Sequence, residues 1–117
     1  MEFPSDAPMA LERVSVVADP SKVEEICGAF RSLMGPTRVE HGCLRCELYT
    51  GWPRANTVLM ESLWESCEDM LLHLRSDRYK SFLQLMETSL EQPTIEFFFV
   101  SQTHGLEIVE QAREKLA

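Results

Sequence analysis

Two hydrophobic periods run along the chain, one of two residues and one near 3.6, and the switches between them mark its elements. Leu11 to Ala18 reads as a strand, with Val14 and Val16 on one face and Val17 on the other. Asp19-Pro20 predicts a helix start, Asp as N-cap and Pro at the first helical position. Val23, Ile26, Cys27, Phe30, Leu33 and Met34 then form one apolar stripe. Gly35-Pro36 is expected to interrupt it, with one more turn over Thr37 to Glu40 before His41-Gly42. Cys43 to Thr50 reads as a second strand, with Leu44, Cys46 and Leu48 on one face and Arg45, Glu47 and Tyr49 on the other. A hairpin loop over 51–56 leads to a third strand, Thr57 to Trp64. Ser66 and Asp69 form a capping-box pattern ahead of a helix striped by Cys67, Met70, Leu71 and Leu74. Ser76-Asp77 opens another, striped by Tyr79, Phe82, Leu83, Met86 and Leu90 and stopped by Pro93.

The fourth strand, Ile95 to Val100, carries bulk on both faces: Ile95, Phe97 and Phe99 on one, Phe98 and Val100 on the other. Both faces therefore need cover, and a second copy of the chain is the natural cover for the face that helices leave free. Gly105 to Lys115 predicts a terminal helix with Leu106, Val109, Ala112 and Leu116 inward. Residues 1–10 lack a pattern and read as a flexible N-terminal segment, leaving 11–117 as a single domain. The order β-α-β-β-α-β predicts an α+β, ferredoxin-like fold with an antiparallel sheet, followed by a C-terminal helix.

Composition narrows the function classes. Of 117 residues, 19 are Asp or Glu and 11 are Lys or Arg, a formal net charge of −8. That balance disfavours nucleic acid and anionic lipid as partners. No apolar run approaches the roughly 20 residues of a membrane span. The first residues have neither a basic start nor an apolar core, so the expected location is the cytoplasm. Four cysteines include the pair Cys43 and Cys46 in a CxxC. No second ligand pair accompanies it, and an odd offset on a strand would point the two thiols to opposite faces. Four structural thiols in a reducing compartment is the favoured reading, and no metal site is expected.

Four stretches carry a resemblance. They are Thr37-Arg38-Val39-Glu40-His41-Gly42-Cys43-Leu44, Glu47-Leu48-Tyr49, Leu59-Met60-Glu61-Ser62-Leu63-Trp64-Glu65-Ser66 and His73-Leu74-Arg75-Ser76-Asp77-Arg78-Tyr79. In this order and spacing the chain resembles the antibiotic biosynthesis monooxygenase (ABM) domain of the dimeric α+β barrel superfamily, from about Leu11 to Gly105. The resemblance implies a homodimer with its two sheets face to face and an apolar cavity between each sheet and its helices. It also implies oxidation of quinols or polyphenols by O2 with no cofactor, since some relatives do this without metal or flavin. Relatives commonly carry Glu two residues before the Trp, where this chain has Ser62; the nearby Glu61 is expected on the opposite face. The haem-degrading branch has a ligand His where this chain has Leu83, so haem degradation is not expected.

A cofactor-free oxygenase must bury an electron-rich substrate, accept its proton and stabilise the phenolate. His73, at the edge of a helical stripe, is the candidate base because imidazole titrates near neutral pH. Trp64 is the candidate stacking group and N–H donor, or else a core residue sealing the sheet. Tyr49 and Tyr79 are candidate donors to the phenolate, or rim residues. Arg38 is a candidate for an anionic oxygen, or the ion-pair partner of Glu40. His41 and His104 read as surface residues. The alternative class is a non-enzymatic dimeric module that binds a small apolar ligand or serves in a stress response.

Overall fold

The computed structural model describes residues 2–4, 6 and 8–116. Strand β1 (Met9–Val17) leads through a short 3-10 turn (Pro20–Lys22) into α1 (Val23–Arg38). Strands β2 (Cys43–Thr50) and β3 (Thr57–Trp64) form a hairpin; α2 (Cys67–Arg75) and α3 (Asp77–Met86) follow, then β4 (Thr94–Val100) and α4 (Leu106–Leu116). The sheet order is β2-β3-β1-β4 with every neighbour antiparallel. This is the expected ferredoxin-like α+β fold. β1 begins at Met9, two residues inside the stretch expected to be patternless. The expectation for 1–10 also touches residues 1, 5 and 7, which lie outside the described residues.

Strand alternation builds the core. Every second residue of β1 is buried, and the same holds along β3 through Val58, Met60, Ser62 and Trp64. Against this face α1 lays Ile26, Cys27, Phe30 and Met34, and α3 lays Tyr79, Phe82 and Met86. Phe30 and Phe82 meet with ring centroids 6.2 Å apart, joining the two helices. Caps set the helix starts: the Asp19 carboxylate accepts from Ser21 N–H, and the Ser66 and Ser76 hydroxyls accept from the N–H groups of Asp69 and Tyr79.

Four expectations are corrected. Gly35-Pro36 does not interrupt α1: Pro36 lies inside its last turns, where burial of Met34 and Thr37 holds the helix and the Thr37 hydroxyl donates to the Leu33 carbonyl at 2.9 Å. A bulge between Cys43 and Arg45 turns Leu44 outward and sets Cys43 opposite Trp64 and Cys46 opposite Ser62, so both thiols share the helix-side face. Leu83 and Leu90 are exposed, although counted in an apolar stripe. Finally, α4 is not inward: Leu106 and Val109 are 70% and 51% exposed and Ala112 is exposed, so its apolar side chains find no cover within the chain. The side chain of Leu116 lies outside what is described. No helix among the described residues is long and apolar enough to cross a membrane.

Candidate functional site

The helix-side row of β1 reads Ala10, Glu12, Val14, Val16, so period two carries a carboxylate into the apolar layer. Glu12 is completely buried. Its register partner on β3 is Ser62, whose hydroxyl donates to Glu12 Oε1 at 3.1 Å. Two residues on, and so on the same face, Trp64 donates its indole N–H to the Ser62 oxygen at 2.9 Å. From α3 the Tyr79 hydroxyl donates to Glu12 Oε2. Burial pushes the Glu12 carboxyl above its ordinary range, against the opposing effects of Tyr79, His73 and Ser62. Burial and the neighbouring Glu12 charge also push the Tyr79 phenol upward.

His73 enters from the last turn of α2, and its side chain has no exposed surface. Its ring stacks on Trp64 at 4.6 Å between centroids and 28° between planes. The Tyr79 ring meets it edge-on at 5.2 Å, and Phe82 closes another side at 6.0 Å. Nδ1 lies 2.8 Å from Glu40 Oε2. Nε2 points toward Glu12 Oε1 across 4.0 Å, beyond hydrogen-bond length, and has no partner among the described residues. A buried imidazole nitrogen with an open valence, facing a carboxylate and walled by aromatic rings, is equipped to exchange a proton with a small hydroxyl-bearing group.

The structure brings together three of the five residues singled out from sequence: His73, Trp64 and Tyr79. Tyr49 lies elsewhere. It pairs with Leu59 on the sheet face that carries no helices and is 49% exposed, as the strand period requires once Cys46 and Leu48 face the core. Arg38 is exposed at the end of α1, where its Nε donates to the Cys46 carbonyl at 3.0 Å and ties the helix to β2. Glu12, Ser62 and Glu40 were not picked out. The signal for Glu12 was present as an acidic residue in phase with Val14 and Val16. Glu61 does lie on the helix-free face, 2.6 Å from Arg13. A carboxylate nonetheless stands beside position 62, carried by Glu12 on the neighbouring strand.

An apolar cleft of about 190 Å3 flanks this cluster, lined by Phe3, Met70, Leu74, Phe97 and Phe99 among others. Its walls adjoin the site: Phe97 is the register partner of Glu12, and Met70 packs with Trp64 and Ala10. A larger hollow of about 540 Å3, with Arg13, Trp52 and Arg54 in its walls, lies on the helix-free face away from His73. Among the described residues no three His, Cys, Asp or Glu side chains converge to hold a metal ion. Burial pushes the Cys46 thiol up to about 12, which keeps it protonated and poorly nucleophilic at neutral pH.

The family model described as antibiotic biosynthesis monooxygenase matches residues 9–85. A conserved protein from Methanosarcina mazei Go1 is 25% identical, with a TM-score of 0.70 over 80% of this chain and 94% of that one. A protein from Shewanella oneidensis is 22% identical, with a TM-score of 0.70 over 79% and 90% of the two chains. A structure from Caulobacter crescentus CB15, provisionally named an antibiotic biosynthesis monooxygenase, is 20% identical, with a TM-score of 0.71 over 82% and 92%. These likenesses concern the fold. No curated protein matches the chain.

Proposed function

The chain belongs to the antibiotic biosynthesis monooxygenase family, and from that premise we propose that it oxidises a quinol or polyphenol-type aromatic substrate with O2, without metal, flavin or haem. The observation that carries this reading is the open Nε2 valence of buried His73, stacked on Trp64 and facing Glu12. His73 takes the phenolic proton at Nε2. The phenolate passes one electron to O2, and the resulting aryloxyl radical and superoxide combine into a C–O–O bond at a ring carbon bearing hydrogen. Loss of water leaves a quinone, so one oxygen atom enters the product and the other leaves as water. Trp64 supplies a flat wall, and Tyr79, its O–H held by Glu12, closes the site edge-on beside the His73 ring. The apolar surroundings exclude bulk water from the radical pair.

The same reading makes the working unit a homodimer in the cytoplasm. Both faces of β4 lie open, with Phe97, Phe98 and Phe99 at 40%, 39% and 37%, against the expectation that helices cover one of them; that unburied bulk supports the first part, and four unpaired cysteines fit a reducing compartment. Oxygen uptake against a panel of hydroquinones and polyphenols tests the activity. The wild type should exceed autoxidation on at least one substrate, and His73→Gln should fall to the autoxidation rate. A wild type that never exceeds autoxidation would leave a ligand-binding module as the better account, and a His73→Gln variant as fast as an active wild type would remove His73 as the base.

A further inference from the structure

The turn between α1 and β2 is fastened to the helix that carries His73. Gly42 has φ +83°, in the left-handed region, and a Cβ there would lie 2.3 Å from the Asp69 side chain. Glu65 N–H donates to the Gly42 carbonyl at 2.7 Å. His41 Nδ1 meets Asp69 Oδ1 at 3.0 Å, while Asp69 Oδ2 accepts from the Ser66 hydroxyl at the start of α2. Glu40, the next residue back, is thereby brought to the side chains of α2 and α3. Its Oε2 lies 2.8 Å from His73 Nδ1 and 3.4 Å from Arg78 Nη1. The His73 ring is sealed, whereas the Glu40 side chain is 21% exposed.

A carboxylate offers only lone pairs, so the proton of a neutral imidazole belongs on the nitrogen that faces it. That nitrogen is Nδ1, which leaves the lone pair on Nε2, on the side of Glu12 Oε1 4.0 Å away. The other tautomer would set the Nδ1 lone pair against the Glu40 oxygens. We propose that Glu40 is the positioning residue of this site: it locks His73 in the Nδ1–H tautomer so that Nε2 is the proton acceptor, and Arg78 steadies Glu40. In the reaction the substrate O–H breaks and an N–H forms at Nε2. The resulting imidazolium lies between Glu40 and Glu12 until the proton passes to the departing water. The catalytic half of this inference rests on the proposed monooxygenase reading; the tautomer does not.

The test is two-bond 1H–15N correlation of the histidine rings in uniformly 15N-labelled full-length protein, with His73 assigned by its loss in His73→Gln. The wild type should show a protonated Nδ1 and a bare Nε2. Glu40→Gln, whose amide oxygen still accepts, should keep that pattern. Glu40→Ala should transfer the proton to Nε2, where Glu12 is the remaining acceptor. On any substrate the wild type oxidises, Glu40→Ala should lose roughly 10²-fold in kcat with little change in KM, and Glu40→Gln should recover most of it. A wild-type ring protonated at Nε2, or a natively folded Glu40→Ala that keeps Nδ1–H, overturns the inference. Should Glu40→Ala not fold, the wild-type and Glu40→Gln spectra still decide. The expected tautomers in a protein that consumes no O2 would uphold Glu40 and sink the monooxygenase reading alone.

Discussion

Glu12 occupies the least hospitable place in the molecule for a charge, and three donors or partial charges around it only partly offset that cost. Its folded-state affinity for a proton is raised, so the sign of its linkage is fixed. The group is harmless below the ordinary carboxylate value of about 4.3 and destabilises the fold increasingly as pH climbs toward its raised folded value. Glu12→Gln removes that burden. The difference in unfolding free energy between variant and wild type should therefore move in the variant's favour as pH rises from about 4, then level off; urea denaturation across that range checks it. A constant difference would mean that Glu12 takes up no extra proton in the fold. Tyr79→Phe acts oppositely, stripping a donor from a buried carboxylate, and should cost about 1–3 kcal/mol at neutral pH by the same measurement. His73 and Trp64 were legible in the sequence because their residue types are scarce and chemically distinctive. Glu12 was not, because one acid in a strand of valines is visible as an exception only after the strand's buried face is known.

At the scale of elements, capping and alternation gave all four strands and every helix, with boundaries within two residues at most ends. What periodicity missed were events that break it. The bulge at Leu44 reverses the facing of Cys43, and Pro36 rides inside a helix because tertiary burial outweighs the one hydrogen bond it forfeits. The α1–β2 turn is of this kind, since its form depends on a contact with α2 that lies 27 residues away. Gly42→Ala should cost about 1–2 kcal/mol from the left-handed backbone alone, and more if Asp69 must move. Because Asp69 also holds His41 and Ser66, the variant should loosen the start of α2 as well. Hydrogen exchange at the Asp69 amide, which donates to the Ser66 hydroxyl at 3.1 Å, should accelerate along with the loss of stability. Unchanged exchange there would separate the turn from the helix.

Among the described residues one sheet face carries no helices, and its residues are arranged in rows across the strands. Phe98, Leu11 and Leu63 form an apolar row over β4, β1 and β3 by register, and the neighbouring row is Glu96, Arg13 and Glu61. Arg13 bonds Glu61 at 2.6 Å and lies 5.0 Å from the Phe98 ring centroid, so one cation serves both rows. A two-fold pairing of such faces places apolar row near apolar row while each Arg13 keeps an acid within reach, which suits a self-complementary surface. The exposed α4, at 11 residues, is too short to be firmly helical alone. Light scattering behind size exclusion should give twice the mass of one chain for the wild type. Leu11→Asp combined with Phe98→Asp should reduce it to a single chain, because two carboxylates on each face would have to be desolvated against two more. The helix-side core is untouched by these changes, so the near-ultraviolet circular dichroism of Trp64 should persist in the monomer. A wild type that elutes as one chain at all concentrations would mean that the helix-free face meets solvent, and that the site beside His73 is complete within a single copy.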